Sequence, residues 1–206
     1  MTLASWYTSG ELLDDFFSRF TFPSLTVLNL HLERDQERKL FWSVDAFDAF
    51  ISRSSCILTT LSIRGVIISD LELIAALHLL PSLVNLSFDD SQQAWESPIT
   101  SLFLSRLTLP ESPYDPSAQS QSILIPKLCS LVIKFKGTSF DDAAFVKMIS
   151  SRCREVDEDV YGPLYELDKV RMRWGREVNE ETELRPLSNL HRLGMRVVIT
   201  GKHYNG

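Results

Sequence analysis

A short pattern, apolar-x-x-apolar-x-apolar, recurs along the chain and constrains its fold more than any other feature. It reads Leu25-x-x-Leu28-x-Leu30, Leu58-x-x-Leu61-x-Ile63, Leu83-x-x-Leu86-x-Phe88, Leu128-x-x-Leu131-x-Ile133 and Leu167-x-x-Val170-x-Met172. Each copy ends in period-2 alternation, the mark of a short strand with one buried face. Pro23, Pro81 and Pro126 each stand two residues ahead of a first leucine, and each follows an apolar residue, Phe22, Leu80 and Ile125. Such self-similarity signals units that bury their apolar faces by stacking on one another.

The stretches between copies have helical period. Thr8-x-x-Glu11 reads as a capping box for a helix to Phe20, with Leu12, Phe16 and Phe20 inward. Ser43 to Ile51 places Val44, Phe47, Phe50 and Ile51 on one face. Ser69-x-x-Glu72 caps a helix that buries Leu71, Ile74, Leu77 and Leu80 or their neighbours. Ser97-Pro98 supplies the cap and first residue of a short helix through Leu107, and Ser139-x-x-Asp142 opens one with Phe145, Met148 and Ile149 inward. Ile99-x-x-Leu102-x-Leu104 repeats the strand pattern too soon after Leu83 and is assigned to the helix. Residues 180–193 are charged and less periodic, and a strand over 195–199 follows them.

Strands joined by helices lie parallel through right-handed crossovers. The fold expected is α/β: a curved solenoid with parallel strands on the concave side, helices on the convex side and about five irregular repeats. It forms a single domain over residues 1–206. A flat doubly wound sheet is the alternative. The copies are spaced by 33, 25, 45 and 39 residues, and the longest spacing holds a proline- and serine-rich insert, residues 110–122, expected to be a mobile loop.

The phrases FPSLTVLNLHL, LPSLVNLSFDD and IPKLCSLVIKF, alternating with helices such as FDDAAFVKMISSR, resemble a leucine-rich-repeat domain. They look most like the repeat region of fungal F-box proteins, over about residues 20–200. The resemblance implies a repeat surface that captures a substrate for a cullin-type ubiquitin ligase. The adaptor-docking F-box of that family is not expected in this chain, because few residues precede Leu25. The asparagine or cysteine that usually stands eight residues after the first leucine is replaced by Glu33, Val66, Ser91, Lys136 and Gly175, so the repeats are irregular.

Composition bounds the partners. A formal net charge of −6 disfavours nucleic acid and anionic membrane, both of which need a positive field. Three cysteines without a CxxC pair fit a reducing compartment, so an intracellular protein, cytoplasmic or nuclear, is expected. The N-terminus lacks a basic segment and an apolar run of the signal-peptide kind.

No catalytic or phosphate-binding motif of the GxSxG, GxxxxGK[ST], GxGxxG or HExxH kind occurs, and the four histidines lack metal-ligand spacing. No cofactor, metal or catalytic residue is expected. The pairs Asp14-Asp15 and Asp141-Asp142 read as helix first turns, and Asp89-Asp90 as the start of a turn. Function therefore rests on the strand residues between the inward leucines, which face the concave side. Asn29, His31, Arg64 and Asp89 lie on the first strands. Lys134, Lys136, Lys169, Arg171 and Arg173 make the later strands basic, and Trp174 beside them is either an interface anchor or, the plainer reading, a cap on the last repeat's core. A basic patch on an acidic protein selects a protein partner with an acidic or phosphorylated segment. The plainer reading is that exposed strand positions tolerate cations, which pair with the acidic run 155–159. The alternatives in function are an α/β enzyme, signalled by Asp89, His31 and a nucleophile such as Ser87 in one pocket, and a repeat fragment with no independent function.

Overall fold

Every copy of the apolar pattern becomes a parallel strand. The structure, a computed structural model, describes residues 2–3, 12–32, 40–90, 97–110, 123–135, 141–152, 169–174 and 196–200. In chain order the elements are β1 (Thr2–Leu3), α1 (Leu12–Arg19), β2 (Val27–His31), β3 (Leu40–Phe41), α2 (Val44–Ser54), β4 (Thr60–Arg64), β5 (Val66–Ile67) and α3 (Asp70–His78). They continue with β6 (Asn85–Asp89), α4 (Ser101–Leu107), β7 (Ser130–Phe135), α5 (Asp142–Ser151), β8 (Lys169–Trp174) and β9 (Arg196–Thr200).

Seven strands form one parallel sheet in the order β1-β2-β4-β6-β7-β8-β9. The order follows the chain without reversal, unlike a doubly wound sheet. Right-handed crossovers that all step the same way bring their helices to the same face. Burial agrees: Leu28, Leu30, Leu61, Ile63, Leu86, Phe88, Leu131 and Ile133 join one core with the inward residues of α1 to α5. The residues alternating with them are mostly half-buried. A second, two-stranded parallel sheet pairs β3 with β5.

The prolines have a local cause. Leu25, Leu83 and Leu128 donate their N–H groups to the carbonyls of Phe22, Leu80 and Ile125 at 3.1, 3.0 and 3.2 Å. Each closes a four-residue turn with proline second, where its fixed φ fits. The chain then enters the sheet in one repeated way. Thr26 O accepts from the N–H groups of Thr59 and Thr60, Thr59 O from Val84 and Asn85, and Val84 O from Cys129 and Ser130. Similar sequence at each strand start thus gives the same hydrogen bonding. Gly65 turns β4 into β5 with φ +69, and a Cβ there would meet Leu32 Cβ at 3.0 Å.

The helices refine several expectations. Ser43 caps α2, and the Ser69–Glu72 capping box forms in full. In α1 the inward residues are Leu13, Phe16 and Phe17, while Phe20 lies beyond the helix and is 47% exposed, stacked on Phe22 at 5.9 Å. The proposed box at Thr8–Glu11 lies outside the described residues. In α3 the buried residues are Leu73, Ile74, Ala76 and Leu77, and Leu71 is 65% exposed. With Leu73, Ile74 and Leu77 on the core side, the helical period turns Leu71 outward.

Ser97-Pro98 does not start α4. Thr100 caps it, accepting from Phe103 N at 3.2 Å and donating its hydroxyl to Asp70 Oδ2 at 2.8 Å. A cap that also ties to the previous helix outweighs a favourable local dipeptide. Asp141, one residue before Asp142, caps α5 through Ala144 N, while Ser139 falls outside the described residues. Cys129 stands one residue ahead of β7. The insert 111–122 and the charged stretch 180–193 are outside the described residues.

Two arginines tie helix ends to the preceding repeat. Arg53, at the end of α2, donates to the carbonyls of Phe17 and Phe20 and to Thr21 Oγ1. Arg152, just past α5, donates to the carbonyls of Leu107, Leu124 and Ile125 at 2.7, 2.9 and 3.4 Å. Adjacent serines serve the same joint: Ser54 Oγ accepts from Phe22 N, and Ser151 Oγ from Leu109 N. Arg152 is 1% exposed, a buried charge whose guanidinium donates to backbone carbonyl dipoles in place of water.

Candidate functional site

Parallel register places the sixth residue after each first leucine side by side. His31 pairs with Arg64, Arg64 with Asp89, Asp89 with Lys134, and Lys134 with Arg173. One row of charged and polar residues therefore crosses five strands near their C-terminal ends. A second row, two residues back, runs Asn29, Ser62, Ser87, Val132 and Arg171. A third ends with Ser130 beside Lys169. In β2, β4, β6 and β7 the alternation that sends the leucines to the helices sends the residues of these rows to the opposite face.

Asp89 is the centre of the first row. Its side chain is 7% exposed, and its Oδ2 accepts from Lys134 Nζ at 3.1 Å and meets Arg64 Nε at 3.6 Å. Arg64 and Lys134 themselves are 43% and 38% exposed. Asp89-Asp90, read from the sequence as the start of a turn, is divided by the structure: Asp89 is the last residue of β6, where the strand pattern also put it, and both residues are buried. A buried carboxylate is tolerated when cations and hydrogen bonds replace its water.

His31 Nε2 shares a 2.9 Å hydrogen bond with Ser62 Oγ across the β2–β4 boundary. Burial, then the Arg64 cation, holds the imidazole below its usual pKa; Asp89 opposes this and Lys134 adds to it. His31 is therefore neutral near pH 7. Burial pushes the Cys56 thiol up, away from a reactive thiolate. Among the described residues no cluster of three or more His, Cys, Asp or Glu is placed to hold a metal ion.

Of the residues singled out in the sequence, His31, Arg64, Asp89 and Lys134 are brought together as neighbours. Asn29 sits one row away, next to Ser62 in register. Lys169, Arg171, Arg173 and Trp174 lie on β8, and their backbones are in register with Ser130, Val132, Lys134 and Phe135. Lys136 and the acidic run 155–159 lie outside the described residues. The ion pairing seen for the sheet cations is with Asp89, inside the sheet. Two features escaped the sequence reading, the His31–Ser62 contact and the tie made by Arg152. The first was legible as a diagonal between aligned copies; the second was not, since Arg53 and Arg152 sit at different offsets from their serines.

Among the described residues no helix is long and apolar enough to cross a membrane. Comparisons with protein-family models, with curated proteins and with solved structures return no match.

Proposed function

We propose that the chain is a protein-interaction module. It is a curved stack of leucine-rich-repeat type whose strands line the concave side. It captures a partner's acidic or phosphorylated segment on the strand face away from the helices. The observation that carries this reading is the row Arg64, Asp89, Lys134, Arg173, in which cations outnumber the one carboxylate on a chain of net charge −6. A local field opposite in sign to the whole molecule steers and orients an anionic partner. Arg171 and Lys169 extend the cationic register positions along β8. Resemblance of the repeat phrases to fungal F-box proteins supports a finer reading, substrate recognition for a cullin-type ubiquitin ligase, with the F-box supplied elsewhere. The cysteine usage fits an intracellular, cytoplasmic or nuclear, setting.

Among the described residues the His31–Ser62 hydrogen bond is the feature that favours an enzyme, and its surroundings argue against that reading. Burial, and after it the neighbouring cations, lower the basicity of His31, and Asp89 binds Arg64 and Lys134 where an imidazole-orienting carboxylate would be needed.

The test is affinity capture from native extract at low and moderate salt, with wild type and a Lys134→Glu, Arg171→Glu, Arg173→Glu variant. Salt-sensitive partners lost in the variant support the reading, and partners retained at full strength refute it. Recovery of a ligase adaptor and cullin separates the finer reading from a bare binding module.

A further inference from the structure

We propose that Asp89 is a positioning residue: it sets the Arg64 and Lys134 heads in one arrangement, so that the face binds oxyanions by geometry as well as by field. The inference rests on the anion-capture reading above and deepens it.

The geometry is specific. Arg64 and Lys134 stand on strands separated by β6, so their backbones lie about 10 Å apart. Both heads nevertheless reach the same oxygen, Asp89 Oδ2, at 3.6 and 3.1 Å. They are therefore at most about 7 Å from each other. That separation suits one oxyanion accepting a charge-assisted hydrogen bond of about 2.8 Å from each head. Exposure is graded in the same sense. The carboxylate is 7% exposed, whereas the Arg64 and Lys134 side chains that meet it are 43% and 38% exposed. Long cationic side chains lose rotamer freedom when they clamp a ligand, and ordering them beforehand removes much of that cost. His31 and Ser62 flank the arrangement and satisfy each other.

Field and geometry predict opposite signs for one substitution. Asp89→Asn removes a negative charge from the row. Were the face only a positive field, anions would bind more tightly. With Asp89 as organiser, the cations separate and binding weakens despite the gained charge. Asp89→Glu keeps the charge and displaces the carboxylate by one methylene, so a field alone leaves affinity unchanged.

The experiment is fluorescence anisotropy on the full chain with a labelled hexaglutamate peptide and the same peptide carrying one central phosphoserine. Temperature is held well below the melting point of each variant. The expected result is wild-type binding to at least one peptide, weakened on the order of tenfold by both Asp89→Asn and Asp89→Glu. The stronger peptide identifies carboxylate or phosphate as the preferred group. Equal or tighter binding by Asp89→Asn overturns the inference and leaves anion capture standing. Should that variant fail to fold, unchanged affinity in Asp89→Glu overturns it equally. Absence of wild-type binding to both peptides overturns the inference and the anion-capture reading together.

Discussion

Replacing Arg152 with methionine removes a buried charge that donates to three backbone carbonyls. Methionine keeps the apolar stem but ends about where arginine's Nε lies and has no donors, so the carbonyls of Leu107, Leu124 and Ile125 lose a partner and the guanidinium's space is left unfilled. The contacts at 2.7 and 2.9 Å are strong, and the 3.4 Å contact is weak. Hydrogen bonds to charged groups contribute about 1.5–3 kcal/mol each, partly offset because the guanidinium need no longer be desolvated. The expected loss is about 3–5 kcal/mol, a large share of a typical domain's stability. Urea unfolding followed by tryptophan fluorescence reads this as a midpoint shift of about 2 M, given a slope of about 2 kcal/mol/M. Arg53→Met is the control. Arg53 makes the same kind of tie but is exposed, where water replaces lost donors, so its loss should stay near 1 kcal/mol. An Arg152→Met loss below 1 kcal/mol, or equal losses at the two sites, refutes the burial argument.

Three further outcomes follow from local geometry. Gly65→Ala places a Cβ 3.0 Å from Leu32 Cβ at φ +69 and should cost about 1–2 kcal/mol in the same unfolding assay. Ser69→Ala removes the hydroxyl that accepts from Glu72 N and leaves half of the capping box, a loss of about 1 kcal/mol measurable by thermal melting. His31 is held below its unfolded pKa of 6.5, so the unfolded chain binds the extra proton first as pH falls. Its contribution to stability is full above 6.5 and declines below it until the folded imidazole also titrates. His31→Gln should flatten that part of the pH–stability curve, and an NMR titration of His31 should give a midpoint below 6.5.

Much of the strand arithmetic was legible in the chain. Aligning the copies on Leu25, Leu58, Leu83, Leu128 and Leu167 places His31, Arg64, Asp89, Lys134 and Arg173 in one column, the row the register then forms. β9 was legible as a strand over 195–199 by its own apolar run but not by the alignment, since Gly194 occupies the first-leucine position although Val197 and Ile199 keep register with Val170 and Met172. The alignment was silent on β3 and β5, two residues each and too short for any period to register. Helix starts were legible where the cap is local, as at Ser43 and in the Ser69–Glu72 box. They were misplaced at Thr100, whose hydroxyl also binds Asp70 of another helix.

The sequence by itself therefore determined the alternation of strand and helix, the turns at Pro23, Pro81 and Pro126, and which strand positions face away from the helices. These depend on period, on the fixed φ of proline and on local capping, all of which act within a few residues. Tertiary structure alone decided that Asp89 is buried between Arg64 and Lys134 instead of opening a turn, and that Arg152 is a buried tie instead of a surface charge. Both outcomes depend on partners 25 to 45 residues away in sequence. A charge leaves water only when the assembled fold brings donors or counter-charges to it, and that condition is absent from any local stretch of chain.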